Sequence, residues 1–229
     1  MSAVRHNLTR TIVVAALTAT LAACTEGKRY DQALCVLVDV SGTYADQREE
    51  VVRILKSEVL PNVEPGDTLL VLRIDGASSE KENVELLVTL DARPSRANAE
   101  KLGIAQRLDE LAEREVSARH TDIPGAMMLG GEYLSELASG SRVMLIFSDL
   151  EEDLASGTRR TLRADELSDT HVVAMNVKRL RTDNVNPTAF RSRLASWGER
   201  VYASGGLGWR TLMDPAKLGA YLSSVREGA

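Results

Sequence analysis

Five oxygen-bearing side chains stand out by type and spacing. They are Asp39, Ser41 and Thr43 in the run DVSGT, Thr121 in RHTDIP, and Asp149 in FSDLEED. Carboxylates and hydroxyls are the ligands of hard cations; Mg²⁺ takes about six oxygens at ~2.0–2.1 Å and gives up water reluctantly. Asp39 lies near the end of an otherwise apolar run, Leu34 to Val40, and Asp149 follows a second one, Arg142 to Ser148. Polar oxygens at the carboxyl ends of buried strands lie where open α/β sheets bind ligands. Each piece also has a plainer use. Thr43 or Asp122 can cap a helix, Ser41 can sit in a turn, and Asp149 can be a solvated loop acid.

The elements that must position these residues read in order. The first run shows no polar–apolar alternation, so it is expected as a strand covered on both faces. Val51, Leu55 and Val59 recur at helical spacing within Ala45 to Leu60, and Pro61 stops that helix. Thr68 to Ile74 is a second buried strand. Val84 to Leu90 follows closely enough to be its antiparallel partner. Pro94 opens a long helix to about Glu115, with Leu102, Ala105, Leu108 and Ala112 assigned to one face. Asp122 is an N-cap with Pro124 in the first turn, and Gly130-Gly131 inside that helix indicates close approach to the sheet. After the fourth strand, Arg142 to Ser148, comes His171 to Val177 as a fifth. A helix is expected from Asn186-Pro187 to Trp197, ended by Gly198. Arg200 to Ala203 reads as a short sixth strand before the loop SGGLG, and Asp214-Pro215 starts a last helix. Strands alternating with helices predict an α/β fold, a doubly wound, mostly parallel central sheet flanked by helices.

Asp39, Ser41, Thr43, Thr121 and Asp149 together resemble the metal-ion-dependent adhesion site of von Willebrand factor A (vWA) domains, across roughly residues 33–225. That family reads Asp-x-Ser-x-Ser, a distant Thr, and an Asp ending a later apolar strand. The resemblance implies that Ser41, Thr43 and Thr121 place hydroxyls on a divalent cation, while Asp39 and Asp149 act through bound water. Mg²⁺ is the expected ion, with Mn²⁺ and Ca²⁺ as alternatives. An ion held by neutral hydroxyls keeps most of its charge, and the implied function is to hold an Asp or Glu side chain of a protein partner. The sequence departs from the pattern twice: Thr43 stands for the commoner Ser, and Leu150 follows Asp149 where Gly is frequent. Glu151, Glu152 and Asp153 read as a solvated acidic loop, and His120 as a surface residue. Tyr44 and Tyr133 either rim the site or pack.

The first residues look like a processing signal. Arg5, His6 and Arg10 precede an apolar run, Thr11 to Ala23, that is shorter than the ~20 residues a spanning helix needs. It closes in Leu21-Ala22-Ala23-Cys24, which resembles the lipobox of bacterial lipoproteins and implies cleavage before Cys24 and acylation of its thiol. Thr25, rather than Asp, follows the cysteine, which in that family points to the outer membrane. The expected organisation is a signal peptide at 1–23, a lipidated tether at 24–32 and a vWA-like domain at 33–229, held in the bacterial envelope and facing the periplasm. With Cys24 acylated, Cys35 has no disulfide partner and reads as a small buried hydrophobe.

Composition fits one domain with an aliphatic core: 44% hydrophobic, 27% charged and only 4% aromatic. Residues 1–23 hold two of the 28 basic residues and no acid, so their removal leaves 26 against 33 acidic ones, a net of −7. No basic run or patch indicates nucleic acid.

An enzyme is the competing expectation. Asp39-Val-Ser-Gly-Thr also resembles the first motif of haloacid-dehalogenase-type phosphatases, Asp-x-Asp-Gly-Thr, with Asp39 as nucleophile. Ser41 stands where the general acid/base aspartate belongs, and no lysine completes the set. The expectation is therefore a binding protein rather than an enzyme, with a scaffold whose site is vestigial as the third alternative.

Overall fold

The computed structural model describes residues 30–42, 44–114 and 118–228. The signal segment, Cys24 and Thr43 lie outside the described residues. Six strands form one sheet in the order β3-β2-β1-β4-β5-β6. They are β1 (Gln32–Asp39), β2 (Thr68–Ile74), β3 (Val84–Thr89), β4 (Ser141–Phe147), β5 (Thr170–Met175) and β6 (Gly208–Leu212). All neighbours are parallel except β2 and β3, which pair antiparallel. The nine residues between Ile74 and Val84 are too few for a crossover helix, which forces that hairpin-like return. The doubly wound α/β architecture is as the sequence indicates.

Every residue of β1 is buried, because helices cover both faces. One face carries Leu34, Val36, Val38, Val71, Leu145 and Val173. It packs against α1 (Arg48–Ile54, continued by one wide turn, Leu55–Val59), α2 (Pro94–Glu113) and α6 (Leu218–Gly228). The other face carries Cys35, Leu37, Leu70, Leu72, Met144 and Ile146. It packs against α3 (Ile123–Glu136) and α5 (Pro187–Ala203), with the short α4 (Arg181–Val185) leading into α5. Each such side chain contributes ~1.5–3 kcal/mol on full burial, so two continuous apolar layers fix the sheet. Cys35 is part of this core, and burial pushes its thiol far up from its ordinary range.

Glycine sets how closely α3 lies on the sheet. A Cβ at Gly130 would stand 2.8 Å from Cys35 Sγ, and one at Gly131 2.4 Å from the Glu166 carbonyl oxygen. At the opposite end of the chain, Arg226 of α6 donates two hydrogen bonds to the fully buried Asp67 carboxylate, at 2.9 and 2.7 Å. Asp67 also accepts from the Gln32 and Glu64 amides.

Three local expectations fail. Leu102 is 71% exposed, and the buried stripe of α2 is Ala97, Ile104, Leu108 and Leu111. Gly198 does not end its helix, which continues through Arg200 to Ala203. The sixth strand is Gly208–Leu212 rather than the Arg200 to Ala203 segment.

Candidate functional site

The carboxyl edge of the sheet collects the residues singled out above. β1 and β4 are parallel with Val38 opposite Phe147, so Asp39 emerges beside Ser148. Strand order reverses direction at this pair: β2 lies on one side of β1, and β4 on the other. Open α/β sheets bind ligands in the crevice at such a switch point. Asp39 is fully buried there. Its Oδ2 accepts a 2.6 Å hydrogen bond from Ser148 Oγ, and its Oδ1 accepts one of 2.9 Å from the Ser41 amide. Burial pushes the Asp39 carboxyl up from the usual range; these hydrogen bonds oppose the rise, and the Asp149 charge adds to it.

Ser41 is also buried, and its Oγ has no hydrogen-bond partner among the described residues. A buried unpaired hydroxyl costs roughly 1–3 kcal/mol, so an atom of this kind calls for a ligand. Ser41 forms an isolated parallel bridge with Ala118, which draws the loop before α3 alongside the exit of β1. Main-chain bonds hold that loop on two sides. Thr121 and Asp153 exchange N–H···O bonds of 2.7 and 3.1 Å, and the Asp122 amide donates to the Asp75 carbonyl at the end of β2. Thr121 is thereby fixed in a buried position. Asp122 is an N-cap, as its spacing indicates: Oδ1 accepts from the Gly125 amide and Oδ2 from Arg160 Nε, at 2.8 and 2.7 Å.

Asp149 is 2% exposed, and its Oδ1 accepts from the Glu151 amide. Leu150 next to it adopts a φ of +62°, a left-handed conformation in which a side chain is strained. The departure from Gly noted in the sequence therefore leaves a glycine-like backbone. Three contacts hold it: the Leu150 side chain is buried, its amide donates to Ser148 Oγ, and its carbonyl accepts from Trp197 Nε1 of α5. The acidic loop that follows points elsewhere. Glu151 pairs with Arg193, Glu152 with Arg200 and Asp153 with His120. Tyr44 is buried with its hydroxyl unpartnered among the described residues. Burial, then the charges of Asp39, Asp149 and Glu50, push its phenol far up. Tyr133 is half-buried and packs on the α3–α5 layer.

The fold thus brings Asp39, Ser41 and Asp149 to one junction and sets Thr121 in the adjoining loop. Among the described residues no group of three or more His, Cys, Asp or Glu side chains is placed to hold a metal ion. A cation here would depend on hydroxyl oxygens beside the two carboxylates. Ser148 and Trp197 are positioning residues that the spacing of motifs did not single out. The one signal for Ser148 is its place between an apolar run and Asp149.

No protein-family model matches the sequence, and no curated protein matches it. Solved structures do resemble it. The conserved hypothetical protein BatB from Bacteroides thetaiotaomicron is similar at 13% identity and a TM-score of 0.52, over 87% of this chain and 100% of that one. An aerotolerance-related membrane protein from Bacteroides fragilis matches at 12% identity and a TM-score of 0.49, over 87% of this chain and 100% of that one. A von Willebrand factor type A protein from Catenulispora acidiphila matches at 11% and 0.46, over 86% and 42%. At these identities the likeness is one of fold: this chain is a doubly wound α/β domain of the architecture seen in BatB.

Proposed function

We propose that the chain is a membrane-anchored protein-binding module of vWA type. In this reading Ser41, Thr43, Thr121, Asp39 and Asp149 hold a divalent cation, Mg²⁺ foremost, and an acidic side chain of a partner protein completes its shell. The observation that carries the proposal is the buried Ser41 Oγ, without a hydrogen-bond partner among the described residues, beside two buried carboxylates at the switch point. The donor set suits a hard ion: Asp39 and Asp149 keep acceptor capacity beyond their present hydrogen bonds, and Ser41 offers a free lone pair. When bound, the cation would supply residual positive charge for a carboxylate. The acids at 151–153 are engaged by Arg193, Arg200 and His120, which leaves room for a carboxylate from outside. Anchoring rests on the lipobox-like Leu-Ala-Ala-Cys. No helix among the described residues is long and apolar enough to cross a membrane.

The phosphatase alternative is not favoured. A nucleophilic Asp39 must meet its substrate, yet it is 0% exposed and both its oxygens accept hydrogen bonds.

Thermal unfolding in Mg²⁺, Mn²⁺, Ca²⁺ or EDTA tests the site. A ligand at a hundredfold excess over its Kd stabilises the fold by about 2.7 kcal/mol. The wild-type should melt higher with ion, Ser41→Ala should lose most of that gain, and identical melting with ion and EDTA would refute the metal. Anchoring is tested separately, by whether Cys24→Ser releases the protein from membranes.

A further inference from the structure

A cavity of about 610 Å³ opens at the amino ends of β4, β5 and β6, on the edge of the sheet opposite Asp39 and Asp149. Its size falls within the ~300–1,000 Å³ of small-ligand sites. Arg142, Arg210, His171, Trp209, Tyr202 and Tyr221 line it, and Asp169 is the one acid in the wall among the described residues.

The two arginines differ from most others in this acidic chain. Arg73, Arg114, Arg160, Arg193, Arg200 and Arg226 each pair with a carboxylate. Among the described residues neither Arg142 nor Arg210 does. Arg142 donates to the Ser135 and Leu137 carbonyls at the end of α3, and the Arg210 guanidinium lies 5.1 Å from the centre of the Tyr221 ring. A planar guanidinium without a carboxylate is suited to phosphate oxygens. Of the residues lining it, Tyr202 and Leu207 are more than half exposed, and Trp209 is half-buried. Trp and Tyr favour positions where one end is apolar and the other wet.

The chain enters the fold at this same edge. The Asp31 carbonyl accepts from the amides of Gly140 and Ser141, and both of those residues line the cavity. From Cys24 to Asp31 an extended chain reaches at most ~25 Å. An acyl group on Cys24 would keep this edge against the bilayer.

We propose that the cavity binds the phosphate of an anionic phospholipid headgroup, so that the fold stands with its carboxyl edge, and the candidate cation site, pointing away from the membrane. The orientation rests on the anchoring part of the proposed function, and headgroup binding is tested without it. Residues 30–228 hold the whole sheet and both helix layers, so a chain beginning at Thr25 carries the complete fold and no acylated cysteine.

Cosedimentation with phosphatidylcholine vesicles, with and without phosphatidylglycerol, gives the result directly. The wild-type should partition onto the anionic vesicles. Arg142→Ala and Arg210→Ala should each weaken this roughly fivefold, the effect of one arginine at an anionic surface. Lys101→Ala, half-buried on α2 and outside the cavity lining, should leave it unchanged. Unaltered melting of Arg210→Ala shows that the fold is intact; if Arg142→Ala melts lower, Arg210→Ala alone decides. Equal partitioning of wild-type and Arg210→Ala, or no preference for anionic vesicles, overturns the proposal. So does binding of inorganic phosphate by a protein that ignores both vesicles. None of these results bears on whether Cys24 is acylated, which fractionation of Cys24→Ser decides.

Discussion

Ser148 Oγ and Asp39 Oδ2 are 2.6 Å apart, a hydrogen bond that joins the ends of two strands 109 residues apart in sequence. The same hydroxyl oxygen accepts from the Leu150 amide, so one side chain positions both the buried carboxylate and the loop that carries Asp149. Ser148→Ala removes both bonds and leaves a buried acceptor short of a donor. The expected loss of stability is about 1–3 kcal/mol. Urea unfolding measures it, and a variant within error of wild-type would mean the bond does not order the junction.

Asp39→Asn should act in the opposite direction when no cation is present. It removes a charge that burial and the neighbouring Asp149 both disfavour, while its amide oxygen still accepts from the Ser41 N–H. The variant is expected to melt higher than wild-type in EDTA and to respond less to Mg²⁺. A lower melting temperature in EDTA would show that the hydrogen bonds outweigh the burial of charge.

Leu150 provides a test of sign. Its buried side chain favours Leu, and its φ of +62° favours Gly. Leu150→Ala loses the packing and keeps the strain, at a cost of ~2–5 kcal/mol. Leu150→Gly loses the same packing but relieves ~1 kcal/mol of backbone strain. The glycine variant should therefore be the more stable of the two by chemical denaturation, and the reverse order would remove strain from the account of this loop.

Burial holds the His171 imidazole below its ordinary value of 6.5. The unfolded chain then binds more protons than the folded one as the pH falls, so the stability present above the unfolded pKa is lost on acidification through the folded pKa. His171→Asn should melt with a shallower decline between about pH 7 and pH 5 than wild-type. Parallel curves for the two proteins would place the acid sensitivity elsewhere.

Most of the frame was legible because burial on both faces writes itself into a strand as an unbroken apolar run, as in β1, β2 and β4. Asp122 and Pro124 were readable for a local reason, since a cap and its helix are neighbours in sequence. The errors cluster at α5 and β6. Gly198 reads in sequence as a terminator, but it is a point of contact: a Cβ there would lie 2.8 Å from Trp209 Cδ1. Val201 is buried one helical turn beyond Trp197, a spacing that four residues read alone do not show. The true β6 is an edge strand with only Leu212 buried, so its apolar signal is weak. At the site, Asp39, Ser41 and Asp149 carried a motif, whereas Ser148 and Trp197 act through partners far away in sequence, which no local spacing reveals.

The ion pair between Asp67 and Arg226 has a consequence for how the protein is made. The pair spans 159 residues, and Gln32 Nε2 of the first strand reaches the Leu222 carbonyl across 190. Until α6 has been synthesised, Asp67 has no guanidinium and the opening strand lacks part of its cover. Contacts of such long sequence separation form late, because the loop between them must close first. Closure of this part of the fold therefore waits until α6 has left the ribosome, and β1 stays without part of its cover until then.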